Sequence, residues 1–192
     1  MNNTTRAAVL VAMLTLPGTL VAEVLSLTPA DPQPSAGSLQ SGLAVTYSYP
    51  SDVRTVRDAK NALKRRSEQG PPLQGLSYED NKEGEPMMTA KKPMKVAAAI
   101  TGYIKFDAAG TYTLDFLNND GLELFIGGQL VADYDEVHAC GYAGETEVDV
   151  PKAGYYALEA TYFQRKGTAC LMMEWGPDSD GLEQVPDSAF FH

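Results

Sequence analysis

The 192 residues carry 15 Lys+Arg against 25 Asp+Glu, a formal charge of −10 at pH 7, which excludes the basic surface an autonomous nucleic-acid binder needs. With 44% hydrophobic and 21% charged residues, 17 Gly and 12 Pro, the balance is that of a turn-rich globular chain and not of a disordered one. The length suits one domain with a full hydrophobic core.

Arg6 is the only charged side chain among the first twenty-two residues, and the apolar stretch Ala7 to Leu16 is closed by Pro17-Gly18 and a run to Ala22. These are the three regions of a secretory signal peptide, here residues 1–22. An uncleaved anchor needs about twenty apolar residues, and Pro17-Gly18 and Glu23 interrupt this stretch. The expectation is a secreted, periplasmic or cell-surface protein with no membrane span in the mature chain. Cys140 and Cys170 are the only cysteines, at a spacing that suits neither a CxxC redox pair nor a four-ligand zinc site. Export favours one disulfide between them over two buried thiols.

Residues 23–41 contain TPADPQPSAGSLQ, whose prolines and small polar residues read as a linker with nothing to pack. The folded domain is expected over 42–192. Leu43, Val45, Tyr47 and Tyr49 alternate as a strand ended by Pro50. From Ser51, the residues Val53, Val56, Ala59 and Leu63 recur at helical spacing, which predicts one short helix over 51–66. Ser51 stands at its start, and Lys64-Arg65-Arg66 suit its negative C-terminal end. This basic cluster reads as a solvated helix end, with a site for an anionic partner as the less favoured alternative. Gln69 to Pro93 is rich in loop residues.

From Val96 onward the pattern has period two. Ile104 and Phe106, Tyr112 to Phe116, Leu122 to Ile126, Val148 and Val150, Tyr156 to Tyr162, and Cys170 to Trp175 each alternate, with turn chemistry between them, including Gly127-Gly128. The fold class that follows is all-β, an antiparallel β-sandwich with one short helix near the N-terminal side of the domain. Trp175 shares a face with Leu171 and Met173 and is read as core, and Met172-Met173 are read as packing residues. Residues 101–192 hold 4 Lys+Arg against 16 Asp+Glu, an acidic surface that attracts cations.

The order GL…YSY, TGYIKFDAAGTYTLDF, NNDGLELFIGGQLV, VPKAGYYALEATYF, LMMEWGPD and QVPDSAF resembles the domain family named after the fourteen-kilodalton piece of anthrax protective antigen, in register from about Gly42 to Phe190. The resemblance implies a β-sandwich module of exported proteins that often binds carbohydrate. In sugar-binding members two adjacent aspartates ahead of a glycine hold calcium, and the ion takes sugar hydroxyls. Here the pair reads Asn119-Asp120, with an amide in place of the first acid, and Gly127 stands where an Asp usually precedes the hairpin glycine.

Calcium takes six to eight hard oxygens, and an Asn carbonyl can replace a carboxylate. Asn119 and Asp120, completed by Asp133, Asp135 or Glu136, form the candidate shell; the alternative is that Asn-Asp-Gly only makes a turn. Tyr134 and Tyr142 are the candidate aromatic contacts for a pyranose face. His138 beside Cys140 reads as a solvated loop histidine, and the chain has no GxSxG elbow, HExxH helix or phosphate loop. The expected function is non-enzymatic: a carbohydrate-binding module for an extracellular or surface glycan, acting beside any separate exported partner. The alternative is a structural or protein-interaction module on the same scaffold.

Overall fold

The computed structural model describes residues 24–192, so the signal peptide expected over 1–22 lies outside the described residues. In chain order the strands are β1 (Leu25–Ser26), β2 (Ala44–Ser48), β3 (Glu68–Gln69), β4 (Ser77–Tyr78), β5 (Val96–Phe106), β6 (Gly110–Asn119), β7 (Gly121–Ile126), β8 (Gln129–Tyr134), β9 (Gly141–Tyr142), β10 (Thr146–Val150), β11 (Gly154–Gln164), β12 (Cys170–Gly176), β13 (Glu183–Gln184) and β14 (Phe190–Phe191). One α-helix among the described residues, α1 (Val56–Arg65), follows β2. The strands form two sheets. One runs β1-β10-β6-β12-β13, with β4 also on β12 and β9 on β6; the other runs β3-β2-β5-β11-β7-β8, with β14 on β5. Every pairing is antiparallel except β1 with β10.

The period-two patterns each bury one face. Ile100, Ile104 and Phe106 of β5 and Tyr156, Leu158 and Tyr162 of β11 meet Leu114 and Phe116 of β6 and Leu171 and Met173 of β12 between the sheets, all fully buried. Each such side chain stabilises by about 1.5–3 kcal/mol, so this shared interior holds the sandwich together. Trp175 packs on the same core, 5.3 Å from the Phe106 ring, as its alternation with Met173 predicts. Met172 alternates outward and is only half-buried. Gly127 and Gly128 take φ of 54° and 79° and turn β7 into β8, the left-handed pair a two-residue hairpin requires. Gly102 serves close approach instead: a Cβ there would lie 2.3 Å from the Phe191 carbonyl oxygen and push β14 off β5.

Two expectations are corrected. The helix starts at Val56, not near Ser51, because its cap lies at Thr55: the Thr55 hydroxyl accepts the Asp58 N–H at 3.0 Å, and Asp135 Oδ1 accepts the Val56 N–H at 2.6 Å. Upstream, Asp52 is drawn to Arg54 Nε at 2.8 Å. Val53 still packs under the helix, with Val56, Ala59, Ala97 and Phe163, in a second cluster on the outer face of β5 and β11. The segment read as a linker with nothing to pack is docked on the sandwich. Leu25 and Ser26 pair in parallel with Val148 and Asp149, Leu27 is buried, Gln33 bonds the main chain of Tyr155, and Gln40 exchanges main-chain bonds with His192. An extended proline-rich chain keeps its remaining N–H and C=O groups free for such pairing, and the edge of β10 offers partners.

Candidate functional site

The end of β6 carries Asn118 and Asn119, and Asp120 follows in the short link to β7. All three are buried, Asp120 to 2% exposure. Strand alternation puts Asn118 on the inner face with Leu114 and Phe116, and Asn119 on the face of Leu117. The peptide bond between Asn119 and Asp120 is cis. The Asp120 carboxylate accepts two main-chain N–H groups, from His138 at 3.1 Å to Oδ1 and from Arg165 at 2.5 Å to Oδ2. Its own carbonyl accepts from Asn118 Nδ2 at 2.7 Å and, with the proton on Nε2, from the His138 ring at 2.5 Å. Tyr162 donates its hydroxyl to the Asn119 carbonyl. Burial pushes the Asp120 carboxyl above the usual carboxylate value, and the two N–H donors oppose this only in part.

The loop from β8 to β9 closes over this strand end. Cys140 in the loop and Cys170 of β12 form a disulfide, and Cys170 lies beside Asn119 in the ladder. The bridge therefore pins the loop that carries His138 against Asp120. His138, expected to be solvated, is half-buried and bonded, and its ring packs 4.2 Å from that of Tyr134. Asn118, Tyr162 and Arg165 belong to the same constellation but escape a sequence reading. Arg165 acts there through its main chain, which leaves no trace in residue type.

The other candidate residues are dispersed. Asp133 is exposed on β8, opposite Glu123. Asp135 is turned to the start of α1. Tyr142 is 52% exposed on β9, in the other sheet from Tyr134, and donates its hydroxyl to Glu174 Oε1 at 3.2 Å. Glu174 stands opposite Asp115, whose carboxyl burial pushes up, with Glu145 and Glu174 adding to the rise.

For calcium, the fit is carried by two neighbouring residues. Asn119 Oδ1 is a buried oxygen without a hydrogen-bond partner, and each Asp120 oxygen, with one N–H bond, retains acceptor capacity. Hard oxygens on a group whose charge is poorly solvated are the donor chemistry such an ion takes. Asp135 gives its Oδ1 to the Val56 N–H at the helix start. Among the described residues the one group of three His, Cys, Asp or Glu side chains close enough for a metal is Asp80 with Cys140 and Cys170, and the disulfide withdraws both thiolates.

The family model described as "PA14 domain" matches residues 77–189, more than half of the chain. The chain belongs to the PA14 domain family. Among solved structures, the PA14 domain of the MpAFP antifreeze protein has a TM-score of 0.68 at 16% identity, covering 82% of this chain and 93% of that one. The PA14 sugar-binding domain from an RTX adhesin gives 0.61 at 17% identity, covering 79% and 98%. The A domain of Epithelial Adhesin 9 from Candida glabrata, in complex with Galβ1-4GlcNAc, gives 0.63 at 15% identity, covering 88% and 95%. At these identities the likeness is one of fold. No curated protein matches the chain by sequence. No helix among the described residues is long and apolar enough to cross a membrane.

Proposed function

We propose that this PA14 domain is an exported, non-catalytic carbohydrate-binding module that engages a surface glycan at the Asn119-Asp120 end of the sandwich, with calcium held by Asn119 and Asp120. The observation that carries the reading is the unpartnered, buried Asn119 Oδ1 beside a buried carboxylate, under a loop clamped by a disulfide. Sugar-binding domains among the structural neighbours support it. When bound, the ion supplies a Lewis-acidic centre for sugar hydroxyls. The chain's own part is to exclude water through the 135–140 loop and to orient the Asp120 carboxylate through the N–H groups of His138 and Arg165. Tyr134 and Tyr142 flank that loop from opposite sheets, and one of them offers a ring face to the sugar.

One observation favours a second reading, a structural module without ligand: both Asp120 oxygens already accept main-chain N–H groups, so the residue is also a loop clamp. A glycan array probed with calcium and again with chelator, together with thermal melts, separates the two. Asn119→Asp is the informative variant, since it leaves the clamp in place and adds a charge for the ion. It is expected to raise calcium affinity and the calcium-linked rise in Tm. Wild-type melting unchanged by millimolar calcium, with no glycan retained in either condition, would establish the structural reading.

A further inference from the structure

Arg65 and Arg66 of the basic helix end also line a cleft. The last turn of α1 faces the segment after β2 and the Lys91-Lys92 pair across a cleft of about 800 Å3, within the size range of small-ligand sites. Among the described residues Arg65, Arg66 and Lys92, which line it, make no ion pair, whereas Lys91 is paired with Glu68 at 2.8 Å. Tyr49 holds the lysine pair in place: its hydroxyl accepts the Lys91 N–H at 3.0 Å, and its ring lies 5.2 Å beneath Lys92 Nζ. Tyr47 stacks behind it at 6.3 Å. These cations come from two chain segments, α1 and the Lys91-Lys92 pair, in a molecule of net charge −10.

Acceptors stand among them. Asp58 and Asn61 of α1, with Asp52, share the lining. Asp52 accepts from both Arg54 and Arg165, and its carboxyl is lowered to about 2, chiefly by the Arg54 hydrogen bond. A ligand with a charge at every position would meet these carboxylates. One with isolated anionic groups separated by hydroxyls satisfies both sets, its anions on the guanidinium forks and its hydroxyls donating to Asp58 and Asn61. We propose that the cleft between α1 and Tyr49 is a second binding site, for an acidic oligosaccharide whose carboxylate or sulfate groups are taken by Arg65, Arg66 and Lys92. It is separate from Asn119-Asp120 and stands whether or not that end binds sugar.

The test is calorimetric titration, at low ionic strength, of trigalacturonate, a heparin-derived hexasaccharide and neutral maltotriose into wild type and into the triple variant Arg65→Ala/Arg66→Ala/Lys92→Ala. All three side chains are exposed, so the variant is expected to keep the wild-type Tm, and a melt checks this. Binding of the galacturonate (carboxylate) or heparin (sulfate) probe is expected, weakening with added salt and by about tenfold or more in the triple variant, with no binding of maltotriose. Asp120→Asn is expected to retain it. Absence of binding by wild type, binding undiminished in the triple variant, or preference for phosphatidylglycerol vesicles or a phosphopeptide over both acidic sugars overturns the proposal.

Discussion

Asp115 shows how a buried carboxyl records its surroundings. It is 7% exposed, accepts the N–H groups of Phe116 at 2.7 Å and Gly144 at 3.1 Å through Oδ1, and has Glu174 opposite it. Burial raises its pKa more than those bonds lower it. A carboxyl raised on folding binds more protons in the native than in the unfolded state, so stability falls as pH rises from the usual carboxylate value through the raised one. Asp115→Asn keeps an oxygen for both N–H groups and removes the charge. It is therefore expected to raise Tm at neutral pH, with the gain vanishing as pH falls below the carboxylate range; melts of both proteins across pH 3–8 check this. At this scale the sequence was partly legible. Asn119 and Asp120 stand out through their motif, but Asp133 and Asp135 are marked only by closeness in the chain, which says nothing of direction. His138 looked idle because its partners, Asn118 and Asp120, come from another strand.

Among the elements, the long strands were legible because their inner faces alternate with less buried positions over most of their length, although α1 also covers Ala97 and Phe163 on the outer face of β5 and β11. The helix was legible in its apolar face but not in its start. Ser51 and Thr55 both suit a cap, and what decides between them is Asp135, 79 residues away, accepting the Val56 N–H. Thr55→Ala is expected to cost about 1 kcal/mol. Asp135→Ala leaves the Val56 N–H without its partner and is expected to cost a similar amount, about 1 kcal/mol, by the same margin in calcium and in chelator. Denaturant midpoints in both conditions measure this; a calcium-dependent loss would return Asp135 to the metal shell. The docked segment 25–40 was missed for a related reason. Apart from those of the Ser26 and Gln33 side chains, its hydrogen bonds to the sandwich are main-chain bonds to β10, Gly127, Tyr155 and His192, and composition does not report them.

For the whole molecule, the disulfide connects stability to the site. Cys140 and Cys170 are 30 residues apart in sequence, and opening a loop of that size releases about 3–4 kcal/mol of constraint on the unfolded chain. For a domain of this length that lowers Tm by roughly ten degrees. The bridge also fastens the 135–140 loop to β12 beside Asn119, so its loss frees the loop whose His138 N–H holds Asp120. Two effects are therefore expected of Cys140→Ser/Cys170→Ser: the fall in Tm, and the loss of any calcium-linked rise in Tm below the new melting point, because the donor set is no longer held together. Paired melts with calcium and with chelator, for wild type and variant, read both effects. A variant that melts lower yet keeps the full calcium response would show that the strand end orders the site alone, and that the bridge acts only on the unfolded chain.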